Sequence, residues 1–206
     1  MIWFSITFGY YGITIWLPKY LEAKDIPSLE TASSLLYMGL AELPGLAVAN
    51  FLIDRIGRKY SLGIAMIGCA GASISFGFAT TFASTTALSM CIYFFIVQAW
   101  TVVYIFTPEL FPTTLRSTAF GVTGLFATVA GMISSPVGAV LFDHEVDDWV
   151  ILVIYSILFV LGGLVALTLP ETKKMWASFP FLFPRPRKQP SHFSSQDAEG
   201  LDPSGG

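Results

Sequence analysis

Charge is scarce in this chain. Only 12% of its 206 residues are Asp, Glu, Lys or Arg, about half the share usual in a soluble domain. Cysteine is nearly absent. The two present, Cys69 and Cys91, each sit inside an apolar run, which excludes a disulfide framework and a thiolate metal site and leaves small apolar filler. The two histidines, His144 and His192, have no ligand partner at helical spacing. Asn50 is the single asparagine and is followed by Phe51-Leu52, so no N-glycosylation acceptor exists. Neither a nucleophile–base pairing nor a phosphate-binding loop is visible, and no basic segment precedes a short apolar core as in a cleaved signal peptide. These absences argue against an enzyme. No cofactor, metal or nucleic-acid partner is expected.

Apolar length is abundant. Hydrophobic residues make up 54% of the chain, and six runs reach the roughly 20 residues that a helix needs to cross a bilayer core. They cover about 1–20, 31–53, 61–82, 86–107, 118–142 and 149–169. Within lipid every backbone group must bond inside its own segment, so each run is expected to be helical. The fold class follows as all-α, a polytopic membrane protein with its bundle over 1–173. The scarcity of charge is then explained by an outer surface that faces lipid.

The few cations sort the loops. Nine of the 11 Lys and Arg residues, Arg55, Arg58, Lys59, Arg116, Lys173, Lys174, Arg185, Arg187 and Lys188, fall around 54–59, 108–116 and 170–190. Lys19 and Lys24 alone fall in the alternate set. The positive-inside rule places the first set and both termini in the cytoplasm, and the acidic loop at 143–148 outside. After Thr172 the composition turns basic and Pro-rich, then rich in Ser, Gly and Asp, so 174–206 is read as a largely disordered cytoplasmic tail. Its basic stretch Arg185 to Lys188 reads either as a stop-transfer flank or as a contact for anionic headgroups.

Small residues recur four apart at Gly68/Ala72, Ser73/Gly77, Ala127/Gly131, Gly131/Ser135 and Ser134/Gly138. That spacing lets helix backbones approach closely in lipid and predicts tight packing of the third and fifth helices.

Polar residues inside the runs are the candidates for chemistry. Glu42 lies near the middle of 31–53, about 17 Å from either end at 1.5 Å per residue. A charge at that depth costs a few kcal/mol. It reads either as a proton- or cation-handling site or as a neutral carboxyl bonded to a neighbouring helix. Pro44 removes a helical hydrogen bond beside it, and Gly39 and Gly45 flank the same stretch. Tyr10 and Tyr11 point about 100° apart on a helix, so one of them at most faces a given cavity. Trp3 and Trp16 are read as interfacial anchors. Gln98, Trp100 and Tyr104 complete the candidates for solute contact, with core packing as the alternative for each.

Three charged motifs mark the cytoplasmic exits: Asp54-Arg55-Ile56-Gly57-Arg58-Lys59, then Pro108-Glu109-Leu110-Phe111-Pro112-Thr113-Thr114-Leu115-Arg116, then Pro170-Glu171-Thr172-Lys173. Each places a carboxylate near a cation, and Arg can fork onto a carboxylate through two bonds. Asp54, Arg55, Gly57, Arg58, Glu109, Arg116 and Glu171 form the cytoplasmic candidate set, in a combination that ordinary positive-inside flanks do not account for.

Together these motifs resemble the C-terminal six-helix half of a major facilitator superfamily transporter of the sugar-porter-like kind. Tyr10-Tyr11-Gly12 and Ala41-Glu42-Leu43-Pro44-Gly45 are most similar to its organic-ion and synaptic-vesicle-protein-related branch. Asn50 departs from the loop signature, which usually carries Gly there. The resemblance implies transport of a small solute by alternating access, with the cytoplasmic charged set as a latch that forms when that side is shut, and with the bilayer, the solute and a co-transported proton as partners. It also implies a missing N-terminal six-helix half, consistent with a first apolar run that begins at Met1 without a charged flank. A second copy of the chain, or a non-transporting membrane partner, are the alternatives.

Overall fold

A computed structural model describes residues 1–22, 28–143 and 148–172. The expected acidic loop beyond Asp143, Lys24, and the tail from Lys173 onward lie outside the described residues. The described chain forms six long helices and no strand. They are α1 (Ile2–Glu22), α2 (Ser28–Ile56), α3 (Arg58–Gly77), α4 (Phe82–Leu110), α5 (Arg116–Asp143) and α6 (Asp148–Thr168), with a 3-10 turn at Thr113–Leu115. The all-helical expectation holds because apolar runs of this length have no other way to pair their backbone groups in lipid.

Five of these helices, α2 to α6, contain segments long and apolar enough to cross a membrane. Although α1 has 21 residues, its Tyr, Trp, Pro18 and Lys19 leave it outside that set. Its neighbours supply what its composition lacks, since α1 packs along α5 and α6 with lighter contact to α2 and α4.

Boundaries moved where local chemistry outranked hydropathy. The expected loop at 54–59 shrinks to one residue, Gly57, with φ 93°. Glycine adopts that left-handed conformation without the Cβ penalty of other residues, so α2 ends and α3 restarts at Arg58 rather than 61. The other end of α3 comes at Gly77 instead of 82. Thr81 then caps α4, because its Oγ1 accepts from Ser84 N at 3.3 Å while Ser84 Oγ accepts from Thr81 N at 3.2 Å. Such a reciprocal box satisfies two otherwise orphaned donors and starts α4 at Phe82 instead of 86.

Principal packing runs in the order α2, α4, α3, α6, α1, α5. The small-residue stripes are used, but α3 and α5 do not pack on each other. On α3, Gly68 admits the Phe95 ring of α4; on α5, Gly131 and Gly138 admit Tyr11 and Trp16 of α1. Between α1 and α6, Gly9 and Gly12 receive Phe159 and Tyr155, two of the largest fully buried side chains. Lipid tails are as apolar as the helices, so close contact of this kind replaces water-driven association. The α2 and α4 helices are also tied by the Ser34 and Thr86 hydroxyls, 2.9 Å apart in the interior.

A Cβ added at Gly57 would meet the Glu171 carboxyl carbon at 2.7 Å, and the left-handed φ adds a penalty of about 1–2 kcal/mol. Gly57→Ala should therefore lower the thermal unfolding midpoint of the detergent-solubilised chain clearly. Gly71→Ala, where nothing lies within 4 Å of the new methyl, should leave it unchanged. Equal midpoints for the two variants would refute this account of the α2–α3 junction.

Candidate functional site

Two groups of residues stand out, one at the end of the bundle and one along a side. The first joins all three charged motifs. Because α3 begins at Arg58, its first N–H groups have no partner within the helix. Glu171, just beyond α6, supplies one: Oε1 accepts from Arg58 N at 3.1 Å and Oε2 from Lys59 N at 3.2 Å. A carboxylate is favoured there by the helix dipole as well. The Arg58 side chain turns to α4, where its Nε donates to both Glu109 oxygens at 2.9 and 3.2 Å and a terminal nitrogen donates at 2.9 Å. The fully buried Thr172 donates to Glu109 Oε2 at 2.6 Å. Side chains of Arg58 and Glu109 are only 21% and 14% exposed, so water screens this pair less than an open surface pair.

Gly57, Arg58, Glu109 and Glu171 are thus brought together, within one bundle rather than between two. They fasten the adjacent ends of α3, α4 and α6 to one another. The sequence reading missed Thr172, whose role depends on two distant helix ends meeting. Asp54 and Arg55 are exposed, and the Arg55 guanidinium lies 5.3 Å from the Phe51 ring centre. Half-buried Arg116 donates to the Phe111 carbonyl at 3.3 Å.

The second group is a chain of rings on α1, α4 and α5. Tyr11 meets Tyr10 edge-on at 5.3 Å, and Tyr10 meets Trp100 at 6.0 Å. Trp100 stacks on Tyr104 at 5.6 Å, and Trp3 lies edge-on to both, at 5.8 and 5.0 Å. Phe120 of α5 extends the series, 6.5 Å from Tyr104. Offset and edge-on ring pairs each contribute about 0.5–1.5 kcal/mol beyond simple burial. Tyr11 and Tyr104 remain exposed, so the chain of rings forms an accessible wall.

Two readings of single residues are corrected. Trp3 is not an interfacial anchor: it is 8% exposed, and its indole N–H donates to Thr107 Oγ1 at 2.9 Å. A tryptophan near a helix end reaches the interior here because α4 offers a hydroxyl at the right height. Gln98 does not join the ring wall. Two residues from Trp100, it points about 160° away around α4, and it is buried at 1% exposure. Trp16 is half-buried with Lys19 Nζ 4.6 Å from its ring centre.

Glu42 is half-buried, and within electrostatic reach of the Tyr10 and Tyr93 phenols. Thr14 approaches the same two phenols without meeting strict hydrogen-bond geometry. Tyr93 and Thr14 were not singled out from sequence, although Thr14 follows Tyr10 by one turn, a spacing that places both on one face. Among the described residues no His, Cys, Asp and Glu cluster could hold a metal. Two open hollows of about 380 and 250 Å³ lie at opposite ends of α1, and Glu42 lines neither. The ring wall itself stands open on one side.

An all-helical bundle with five crossing-length apolar helices and a charged node at one end defines a multi-pass integral membrane protein. Residues 1–135 match the Major Facilitator Superfamily, and the chain belongs to that family. That family, and the relatives named as transporters, point to transport rather than catalysis. NiaP of Bacillus subtilis (strain 168) is 33% identical over 175 residues, covering 84% of this chain and 44% of NiaP. Solute carrier family 22 member 7 of Rattus norvegicus is 33% identical over 179 residues, covering 84% of this chain and 31% of its own length. The synaptic vesicle 2-related protein of Xenopus laevis is 28% identical over 198 residues, covering 84% and 35%. These relatives place the chain in the organic-ion and synaptic-vesicle-2-like branch. The chain spans less than half the length of each.

Removing one partner of the node leaves the other partly buried and uncompensated. Glu109→Gln should destabilise the bundle by about 1–2 kcal/mol, a charge-assisted bond discounted for partial exposure. Arg55→Gln on the exposed side should stay within about 0.5 kcal/mol. Denaturant titration of the purified chain in detergent separates them, and equal losses would show that Arg58–Glu109 carries no special weight.

Proposed function

We propose that the chain is one half of an alternating-access transporter, working against a six-helix N-terminal half or a second copy of itself. The observation that carries this reading is the placement of the ring wall between the least buried helices. Over their apolar segments α2 is 28% buried and α5 17%, against 44–50% for α3, α4 and α6. Both present rows of large apolar side chains outward, among them Leu36, Leu43 and Phe51 on α2 and Leu125, Phe126 and Met132 on α5. A second bundle laid across these two helices would enclose the wall and turn it into a solute cavity.

In this reading the exposed Tyr11 contacts the solute with Trp100 and Tyr104, while Tyr10, Trp3 and Phe120 support them. Glu42 handles a co-transported proton at mid-membrane, flanked by two phenols that accept or donate. Gln98 holds the interior of α4 rather than touching solute. The Arg58–Glu109–Glu171 node keeps three helix ends together so that the bundle rocks as a unit. Asp54, Arg55 and Arg116, at the same end, are the members placed to reach across to the other half. Interactions worth about 1 kcal/mol each are enough to bias a two-state equilibrium of this kind. Both termini lie on the cytoplasmic side. The proximity of Met1 and Leu169, which line one cavity, supports a common side for the first and last helix ends.

Glu42→Gln should abolish uptake driven by an imposed pH gradient in proteoliposomes while solute exchange persists. Retained pH-driven accumulation would remove Glu42 from coupling. Cross-linking in native membranes should capture the chain on a second bundle through α2 or α5. A strictly monomeric chain that transports nothing would favour the non-transporting alternative.

A further inference from the structure

The end of the bundle remote from the charged node carries a second polar arrangement. Trp16, Lys19, Ala139, Val140 and Asp143 line a hollow of about 380 Å³ between the last turns of α1 and α5. That volume lies in the range of small-ligand sites. Lys19 and Asp143 are exposed and share the hollow, yet they form no ion pair with each other. The Lys19 ammonium lies 4.6 Å from the centre of the Trp16 ring, in a cation–π contact. The Trp16 indole is itself anchored, packed against the Gly138 backbone where a Cβ would collide with its Nε1 edge. Asp143 is the last residue of α5. A carboxylate at a helix C-terminus faces the negative end of the dipole and is disfavoured unless a cation compensates it.

One hollow thus holds a cation, a carboxylate in need of a cation, and space between them. We propose that it binds a small zwitterionic solute, whose carboxylate accepts from Lys19 and whose ammonium donates to Asp143. A solute with one charge would leave the opposite wall unsatisfied, so the pair selects molecules carrying both. The site is separate from the ring wall and does not depend on the transport reading. Its binding is measurable without transport.

Titration calorimetry of the full chain in uncharged maltoside micelles provides the test, with β-alanine, 4-aminobutyrate and 6-aminohexanoate as a series of charge separations. At least one should bind about tenfold more tightly than both butylamine and butyrate, an added 1.4 kcal/mol. Lys19→Asp and Asp143→Lys should each weaken it by about tenfold, whereas the double exchange should recover most of the affinity, because a zwitterion can bind reversed. Trp16→Leu should weaken it by a smaller factor through release of Lys19. Equal binding of butylamine or butyrate overturns the proposal, as does a double exchange that recovers nothing. Binding confined to phosphoethanolamine would overturn it in favour of a lipid headgroup site.

Discussion

The start of α3 is the constraint on which the arrangement depends. A helix that begins one residue after another ends must satisfy its first N–H groups at once, and water is scarce where three helix ends converge. Glu171 does so by reaching from the end of α6 to Arg58 N and Lys59 N. Its carboxylate fits only because residue 57 has no side chain and adopts a left-handed φ. With the Arg58 backbone held by α6, its guanidinium is free to fork onto Glu109 of α4. Thr172 closes the ring by bonding the same carboxylate. Chain segments more than 100 residues apart in sequence are thereby locked at one end of the bundle.

Along the rest of their length the helices are held by shape. Tyr155 and Phe159 lie over Gly12 and Gly9, Phe95 over Gly68, and Trp16 over Gly138. Each pairing brings an aromatic ring onto exposed backbone, where dispersion contacts are dense and nothing needs desolvating. The consequence for function is a division of labour. Helices α3 and α6 form a tightly packed back, and α1 carries rings on one side while accepting rings on the other. Helices α2 and α5 flank the wall with much of their apolar surface outward.

Much of this was legible beforehand. Apolar length and the lack of any soluble-domain charge specified six helices, because a backbone in lipid has no alternative to self-pairing. The three charged motifs also stood out as a set, since each pairs a carboxylate with a cation. Their geometry did not. Whether Arg58 meets Glu109 inside one bundle or a partner across an interface depends on which helix ends are neighbours, and spacing along the chain carries no record of that. Trp3 misled for a similar reason: its place near a helix end suggested an interface, but Thr107, 104 residues later, drew its N–H inward. Gln98 could have been separated from Trp100 by angle alone, because two residues on a helix point almost oppositely.

By itself, then, the sequence determined the helical class and the positions along the chain where charge gathers. These follow from one-dimensional quantities, apolar length and the position of charge along it. Only the tertiary structure decided that Glu171 caps α3, that Thr172 joins the node, and that Lys19 and Asp143 face one hollow without pairing. Those outcomes depend on which helices lie side by side, and a helix's neighbours are selected by glycine–ring fit between residues far apart in the chain.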